Sequence, residues 1–398
     1  MSNDYSLYFH IPFCKQRCAY CDFNTYAGRE DTIPAYVDAL RNEIKAAGVA
    51  LSASQGKSAP RLGVGTIFFG GGTPSLLAPD QFRDIFQSIR AFFEVSPQAE
   101  ISLEANPGTV SLAYLRELRA LGFNRISYGA QSANPNELRM LERIHNYNDV
   151  VDAVRWSRRT GFDNLNLDLI YGLPEQTLIS WQNTVKLIVG LRPEHISAYA
   201  LTVEPGTPFG RWAAKGLLPS PDPDLAAEQY EWTMDYLTAQ GYVQYEISNW
   251  ALPGRECRHN LQYWRNLDYL GLGAGAHGYA GGYRYSNVLR IKTYLNRSAD
   301  SRFADLPFPL SQATVHWHRN TPRDDMQETM MTGLRLTDEG ISAEGFRQRF
   351  GVDLLEVFGK EILKLETVGL LKWEGEALRL TRRGRLLGNQ VFMEFVGG

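Results

Sequence analysis

The chain has 398 residues, of which 44% are hydrophobic, and this length is sufficient for one large domain and a smaller one. The net charge of -3 and the isoelectric point of about 6.2 give no electrostatic reason to expect a nucleic acid or an anionic membrane surface as a partner. The first residues contain no basic region followed by an apolar run, and no apolar stretch reaches the length of a membrane span. We therefore expect neither a signal peptide nor a spanning helix.

Short β-rich runs alternate with amphipathic helical stretches over the first half of the chain. Strands are predicted at Leu7–His10, Thr66–Phe69, Glu100–Ala105, Arg125–Tyr128, Asn164–Ile170 and His195–Leu201. Helices are predicted between them at Ile33–Ala46, Pro79–Phe93, Leu112–Leu121, Asn148–Thr160 and Leu178–Leu191. This alternation is typical of βαβ units around a parallel sheet. Six such units, with a further strand at Gln244–Ser248, predict an α/β fold of the partial (β/α)6 barrel type.

Two segments rich in glycine, proline, serine and alanine, Leu51–Gly65 and Gly216–Asp224, are predicted to be surface connections. After about Asp300 the pattern changes to short helices and one hairpin, and this part resembles a winged helix. Its elements are predicted at Met326–Leu334, Ser342–Phe350, Leu354–Val368 and Leu371–Thr381. We therefore expect two domains, a partial barrel in residues 1–300 and a winged-helix-like α+β domain in residues 301–398.

The C-terminal domain lacks the charge of a DNA-binding winged helix. Arg323–Gly398 contains eleven Lys and Arg against thirteen Asp and Glu, so the basic footprint that contacts phosphates is missing. We expect this domain to act as a lid, to pack against the barrel or to contact another protein.

Three of the four cysteines form one motif, Cys14-Lys-Gln-Arg-Cys18-Ala-Tyr-Cys21, directly after the first predicted strand. A CxxxCxxC spacing favours an iron–sulfur cluster held by three thiolates, with an open position on the fourth iron. Two alternatives stay open, a zinc site completed by His10 or Cys257, and a disulfide. Clustered thiols without a signal peptide are typical of a reducing compartment, so we expect a cytoplasmic protein.

Polar residues follow several of the predicted strands, where function collects in parallel α/β sheets. Gly70-Gly71-Gly72-Thr73-Pro74 follows the second strand, and three later strand ends carry Glu104, Gln131 and Asp168. A carboxylate within an apolar strand needs a partner, so Glu104 and Asp168 are candidates to face a polar ligand. The alternatives are a simple glycine turn and structural bonds of the carboxylates to Arg125 or Arg143.

These motifs occur in an order that resembles the radical S-adenosylmethionine (SAM) superfamily over about the first 290 residues, specifically its oxygen-independent coproporphyrinogen III oxidases and HemW-type haem chaperones. The resemblance implies a [4Fe–4S] cluster on Cys14, Cys18 and Cys21, with the amino and carboxylate groups of SAM on the fourth iron. The positions that the resemblance assigns to cofactor binding are Tyr8, Gly71, Gly72, Thr73, Glu104, Gln131, Arg143, Asp168, Ala200 and His277.

Two features favour the chaperones over the oxidases. The oxidases carry a further cysteine two residues after the third, where this chain has Phe23, and an N-terminal extension, where it has only thirteen residues before Cys14. His259-Asn260-Leu-Gln-Tyr263-Trp264 matches the HNxxYW motif of the chaperones, which implies non-covalent haem binding, with His259 or Cys257 as the axial ligand. Without the resemblance, this histidine is equally compatible with a capping or hydrogen-bonding role.

The sequence thus predicts a haem chaperone that binds a [4Fe–4S] cluster, SAM and haem and passes haem to an accepting protein, for instance a respiratory one. Contact with a membrane would then be peripheral and through that acceptor, and no nucleic acid is involved. The alternatives are an enzyme that converts coproporphyrinogen propionates to vinyl groups, and a zinc-stabilised binding module.

Overall fold

The structure is a computed structural model that describes residues 4–55, 61–299 and 306–396. The chain divides into two compact units, and each is discontinuous in sequence. The first comprises Met1–Thr233 and Asp268–His318, and the second comprises Met234–Leu267 and Arg319–Gly398. The expected domains, 1–300 and 301–398, stay a prediction, and the compact units differ from them because residues 234–267 belong with the C-terminal segment.

The strands run in chain order as β1 Tyr5–Ile11, β2 Phe13–Cys14, β3 Tyr26–Ala27, β4 Leu62–Gly71, β5 Phe93–Ala105, β6 Arg125–Gln131, β7 Leu165–Tyr171, β8 His195–Ala200, β9 Val243–Glu246, β10 Asn249–Ala251, β11 Tyr269–Leu272, β12 His277–Ala280, β13 Tyr283–Asn287, β14 Thr314–Arg319, β15 Ile341–Ser342, β16 Leu371–Glu374 and β17 Ala377–Leu380.

The helices are α1 Ile33–Gln55, α2 Pro79–Phe92, α3 Leu112–Leu121, α4 Pro135–Met140, α5 Tyr147–Arg159, α6 Leu178–Gly190, α7 Pro208–Ala214, α8 Pro223–Ala239, α9 Arg258–Trp264, α10 Ile291–Ser298, α11 Pro322–Gly333, α12 Ala343–Phe350, α13 Leu354–Thr367, α14 Arg382–Leu386 and α15 Gly388–Val396. In the part of the chain that the structure describes, none of them is long and apolar enough to cross a bilayer.

A parallel sheet forms the first unit, in the order β1-β4-β5-β6-β7-β8, and β11 joins β1 in parallel on its other side. Its strands have long apolar runs, such as Leu7 and Phe9 in β1, because helices cover one face of the sheet. Side-chain caps begin the covering helices where the sequence provides them, for example Ser111 at α3 and Thr177 at α6. The predicted α/β partial barrel is confirmed.

One predicted connection is wrong in most of its length. The composition of Leu51–Gly65 predicts an irregular surface segment, but α1 continues to Gln55 and β4 begins at Leu62. Alanine and serine in this segment are compatible with helix, and pairing of Leu62–Val64 with the start of β5 extends the strand. Residues 56–60 of that prediction lie outside the described residues. Gly216–Asp224 lies between α7 and α8, as expected, with its last residues already in α8.

The second unit contains the predicted winged-helix arrangement, with α11, α12 and α13 followed by the β16–β17 hairpin, which β15 extends to a three-stranded antiparallel sheet. Its core is a cluster of buried aliphatic and aromatic side chains that includes Met330, Phe358, Leu378 and Phe392. Helix α9, which carries the HNxxYW motif, also belongs to this unit.

A buried carboxylate organises the loop after β11. Glu43 of α1 is fully buried, and its oxygens accept hydrogen bonds from the Gly273 amide at 2.8 Å and the Tyr294 hydroxyl at 2.7 Å. The Asn287 amide and the Ser311 hydroxyl donate to the other oxygen, both at 2.8 Å. Four donors satisfy this carboxylate without a cation, so the loop after β11 is held firmly against α1.

Candidate cluster and cofactor site

The carboxyl ends of the parallel strands enclose a cavity of about 500 Å³. This size lies within the range of small-molecule and cofactor sites. The predicted site residues that line it are Cys14, Cys18, Cys21, Gly71, Gly72, Thr73, Glu104, Gln131, Arg143, Asp168 and Ala200. Residues separated by nearly two hundred positions therefore converge on one cavity, because each follows or ends a neighbouring strand of one sheet.

The three thiols enter the cavity from the loop that follows β1. Cys14 is buried and accepts a hydrogen bond from the Thr73 hydroxyl at 3.6 Å, and the Cys21 sulfur lies 3.8 Å from the Thr25 hydroxyl. Burial raises the pKa of Cys14 to about 11 and also raises the pKa of Cys21. Metals are ligated by thiolates rather than by thiols. The positive charge of the bound metal must therefore lower the pKa of these thiols so that they lose their protons.

The loop between the cysteines is anchored at its centre. Ala19 is fully buried in an apolar cluster with Leu141, Ile170 and Phe209. Its amide donates to the Leu141 carbonyl at 3.3 Å, and its carbonyl accepts from the Phe209 amide at 3.0 Å. Cys18 and Cys21 are therefore positioned by elements far away in sequence.

Arg143 places a positive charge beside the thiols. Its Nη1 donates to the Cys18 sulfur at 3.3 Å, and its Nη2 donates to the Gly129 carbonyl at 2.6 Å. Its Nε is buried and has no hydrogen-bond partner among the described residues. Because Arg143 lines the cavity and its guanidinium contacts Cys18, it suits an anionic group such as a thiolate-bound cluster or a carboxylate.

The glycine loop packs against the backbone before Cys14. The Gly72 amide donates to the Ile11 carbonyl at 2.9 Å, and the Thr73 amide donates to the Phe13 carbonyl at 2.7 Å. A Cβ on Gly72 would lie 2.6 Å from the Phe13 carbonyl oxygen, which is closer than real Cβ atoms come. Gly72 is thus required for contact between two backbones, whereas the sequence suggested only approach of a ligand.

Two carboxylates lie in the cavity wall. Glu104 accepts a hydrogen bond from the Gly71 amide at 3.0 Å, and Asp168 accepts from the Ser127 hydroxyl at 2.8 Å and the Asn166 amide at 2.7 Å. Burial and the nearby Asp168 charge raise the pKa of Glu104 to about 7. Burial also raises the pKa of Asp168, against the effect of its hydrogen bonds. The pair therefore favours a ligand that brings positive charge or hydroxyl donors.

The zinc alternative finds no support in the geometry. His10 is buried, with Nδ1 bonded to the Tyr8 hydroxyl at 3.0 Å and Nε2 to the Asn24 carbonyl at 3.0 Å, so both ring nitrogens are engaged. Within the described ranges, no three His, Cys, Asp or Glu side chains converge on a point where one metal ion could bind. A cubane places each thiolate on a different iron, so it does not need such convergence. The disulfide alternative finds no support either, since no disulfide joins any of the four cysteines, all of which the structure describes.

Three predicted residues do not line the cavity. Tyr8 lies behind the glycine loop, with its hydroxyl on His10 and its ring stacked on Phe68. His277 is exposed at the start of β12. His259 shares one face of α9 with Tyr263, as expected, but it is 1% exposed and its Nε2 lies 2.7 Å from the Tyr263 hydroxyl.

Several cavity residues were missed as site residues, among them Tyr20, Thr25, Thr109, Ser127, Tyr199 and Glu204. Ser127 lies within β6, four residues before Gln131 in the same polar motif, so the signal that marked Gln131 could have found it. Tyr20 lies inside the cysteine motif, where only the cysteines carry a recognisable spacing. Glu204 follows β8 in a loop that no pattern marks.

Comparisons with known proteins agree with this site. The sequence profile of the radical SAM superfamily matches residues 8–188, and that of the HemN C-terminal domain matches residues 320–387. The chain is 38% identical to the heme chaperone HemW of Bacillus subtilis (strain 168) over 98% of this chain and 99% of that protein. It belongs to the HemW family of the radical SAM superfamily. Proteins of this superfamily bind a [4Fe–4S] cluster and SAM as cofactors, which confirms these two cofactor predictions.

Two further relatives cover the chain to different extents. The heme chaperone HemW of Escherichia coli (strain K12) is 42% identical over 69% of this chain and 69% of that protein. The solved structure of the coproporphyrinogen III oxidase (HemN) from Escherichia coli, a radical SAM enzyme, superposes with a TM-score of 0.83 at 26% identity. That match covers 99% of this chain and 90% of the other. The fold is therefore shared between the family of this chain and an oxidase.

We expect Gly72→Ala to weaken the site through the backbone contact before Cys14. The added Cβ must push the glycine loop away from Phe13, which would break two hydrogen bonds worth about 0.5–1.5 kcal/mol each. The measurement is the midpoint of urea unfolding together with the iron content after anaerobic reconstitution. Gly206→Ala, where nothing lies within 4 Å of the new Cβ, is the control, and equal behaviour of the two variants would contradict the prediction.

We expect the Glu104 carboxyl to titrate near pH 7 and Asp168→Asn to move this midpoint to lower pH, since the substitution removes one of the two causes that raise it. Because the folded-state pKa lies above that of the unfolded chain, the stabilisation associated with protonated Glu104 is fully present below about pH 4.5 and is lost as the pH rises to about 7. Carbon-13 NMR of labelled glutamate measures the midpoint, with Glu104→Gln identifying the signal. A midpoint that Asp168→Asn leaves unchanged would contradict the proposed coupling.

Proposed function

We propose that this protein is a haem chaperone on a radical SAM scaffold, which binds haem non-covalently and passes it to an accepting protein. The observation that carries the proposal is the full-length similarity to proteins named heme chaperone HemW, over 98% of this chain at 38% identity. The structure adds a cavity with three thiols at the carboxyl ends of the parallel strands, in agreement with a cluster-binding protein.

The three thiols fit a [4Fe–4S] cubane in which one iron has no protein ligand. Cys14, Cys18 and Cys21 supply three thiols and no fourth cysteine lines the cavity, whose residues are all described. When bound, the cluster supplies an iron that the amino and carboxylate groups of SAM can occupy. Arg143 would neutralise the added negative charge, since it lines the cavity and its guanidinium already contacts Cys18. These residue assignments are proposals.

The remaining cavity groups suit the other parts of SAM. Backbone carbonyls of the glycine loop can accept from its ammonium group, and Asp168, held by Ser127 and Asn166, can accept from ribose hydroxyls. Glu104 is the carboxylate next to the glycine loop and can face the positive charge of the cofactor. With its pKa near 7, Glu104 would bind a cation more strongly as the pH rises through neutrality.

The oxidase reading is the second candidate, and the superposition with the coproporphyrinogen III oxidase supports it at the level of the fold. The cavity itself favours the chaperone. Phe23 occupies the position of the oxidases' further cysteine, and it lines the cavity with 67% of its surface exposed. An apolar ring at this point provides contact area for a bound macrocycle but cannot act as a thiol.

We propose a cytoplasmic location, because clustered thiols in a cluster-binding motif require a reducing compartment. The acceptor of haem is proposed to be a protein, for instance a respiratory one, and membrane contact would pass through it. That His259 supplies the axial ligand stays a prediction. In the structure His259 would first have to leave Tyr263 and become exposed.

We expect Cys14→Ala, Cys18→Ala and Cys21→Ala each to abolish the cluster, since each thiolate holds one iron. Cys257→Ala, which alters the buried cysteine of the second unit, is the matched control and should leave the cluster intact. Iron and sulfide analysis after anaerobic reconstitution, with EPR of the reduced protein and its perturbation by SAM, measures this. Stoichiometric zinc without labile sulfide would contradict the assignment.

The experiment that separates chaperone from oxidase uses one reconstituted sample for two assays. We expect about one haem bound per chain. We expect no protoporphyrinogen from coproporphyrinogen III in the presence of SAM and a reductant. The variant Phe23→Cys tests whether a cysteine at position 23 introduces decarboxylation. The variant Phe23→Leu is its control, because it also removes the aromatic ring but adds no thiol. Robust decarboxylation by the unaltered protein would overturn the chaperone function.

A further inference from the structure

A row of polar residues crosses four parallel strands of the first unit. Glu104 of β5 is in register with Ser127 of β6. Asn166 of β7 is in register with Ser127 on one side and with His195 of β8 on the other. Residues in register point to the same face of a sheet, so these four side chains, which we call the polar row, lie side by side. Because branched aliphatic residues dominate such layers in α/β barrels, a row of four polar residues indicates a role beyond packing.

The polar row leads from the cavity wall to the interior of the protein. Glu104 and Ser127 line the cavity, and so does Asp168, which follows Asn166 by two residues in β7. His195, at the other end of the row, is fully buried and is not part of the cavity wall. An effect of His195 on a ligand in the cavity must therefore pass through Asn166.

The Asn166 side chain connects His195 to Asp168. Its Nδ2 donates to one carboxylate oxygen of Asp168 at 2.7 Å and to the Ser127 hydroxyl at 2.7 Å. Ser127 in turn donates to the second oxygen of Asp168 at 2.8 Å. The Oδ1 of Asn166 lies 2.6 Å from the Nδ1 of His195. Both hydrogen bonds to Asp168 depend on the orientation of this one amide, since an amide nitrogen that faces Ser127 leaves the hydroxyl proton for Asp168.

The hydrogen-bonding partners of the amide determine its orientation. An ionised carboxylate only accepts hydrogen bonds, so the amide nitrogen faces Asp168 and the amide oxygen faces His195. This oxygen needs a donor, so the Nδ1 of His195 carries a proton. Burial and the nearby charge of Arg125 hold the pKa of His195 well below its usual range, so the ring is neutral. The Ser197 hydroxyl lies 3.0 Å from the amide nitrogen and 3.2 Å from the amide oxygen, and because a hydroxyl both donates and accepts, it selects neither orientation.

We propose that His195 is a positioning residue for SAM, which orients the Asn166 amide so that Asp168 presents its oxygens to the ribose hydroxyls. This inference rests on the proposed function for the assignment of Asp168 to ribose. Without the donor of His195, the buried amide oxygen loses a partner, which favours rotation of the amide. A rotated amide places its oxygen against the carboxylate of Asp168. Asp168 then loses a hydrogen bond and is displaced from the position in which it meets the ribose.

The test compares His195→Leu with His195→Asn in the full-length protein after anaerobic reconstitution of the cluster. Both variants remove the imidazole ring and have similar side-chain volumes, but only asparagine keeps a donor nitrogen at the position of Nδ1. Equilibrium dialysis with labelled SAM measures the dissociation constant, and the iron content shows whether the samples hold the same amount of cluster. We expect His195→Leu to raise the dissociation constant about tenfold and His195→Asn to keep it within about threefold of that of the unaltered protein.

Two further measurements report on the hydrogen bond rather than on packing. An analogue of SAM without ribose hydroxyls should bind equally to the unaltered protein and to His195→Leu, because it makes no contact that Asp168 could lose. Nitrogen-15 NMR of labelled histidine in the unaltered protein should show a neutral His195 with its proton on Nδ1, and His195→Asn identifies this signal. The NMR measurement tests the inference even where His195→Leu fails to fold.

Equal weakening of SAM binding in the two variants would overturn the inference, since lost packing would then explain it. A proton on the Nε2 of His195 would also overturn it, and so would equal weakening of SAM and analogue binding in His195→Leu. None of these outcomes affects haem binding or the chaperone function. Haem titration of the unaltered protein tests that function separately, and absence of haem binding would overturn the chaperone function but not the positioning role of His195.

Discussion

The site depends on one backbone contact, in which Gly72 and Thr73 donate to the carbonyls of Ile11 and Phe13. This contact holds the end of β4 against the segment that leads to Cys14, so the first thiol and the glycine loop share one wall of the cavity. Only glycine fits at position 72, because a Cβ would collide with the Phe13 carbonyl. The remaining cavity residues are then placed by the parallel register of β4, β5, β6 and β7.

Around this contact the protein combines apolar anchors with buried charge. Ala19, in its apolar cluster, fixes the centre of the cysteine loop, and Arg143 supplies a positive charge beside Cys18. Glu104 and Asp168 also line the cavity, and burial raises the pKa values of both. A cavity lined by a guanidinium and two carboxyl groups suits a zwitterionic cofactor, since each group stabilises the opposite charge of the ligand.

The histidine of the HNxxYW motif is buried in the structure. The motif forms a short helix, α9, in which His259 and Tyr263 bond to each other inside the second unit. A buried, mutually satisfied pair is typical of a structural role, because breaking it leaves polar atoms without partners.

The sequence by itself predicted the fold class, the three cysteines that line the cavity and eight further residues of its wall. Strand–helix alternation is local, and parallel strands bring their carboxyl ends together, so the strand pattern alone predicts that Glu104, Gln131 and Asp168 share one edge of the sheet. Only the tertiary structure decided that α1 continues to Gln55, that residues 234–267 join the C-terminal segment, and that Gly72 serves a backbone contact. It also decided which histidines are buried. Burial and strand register are properties of chain segments packed together from distant positions, and no local pattern around His259 or His316 encodes them.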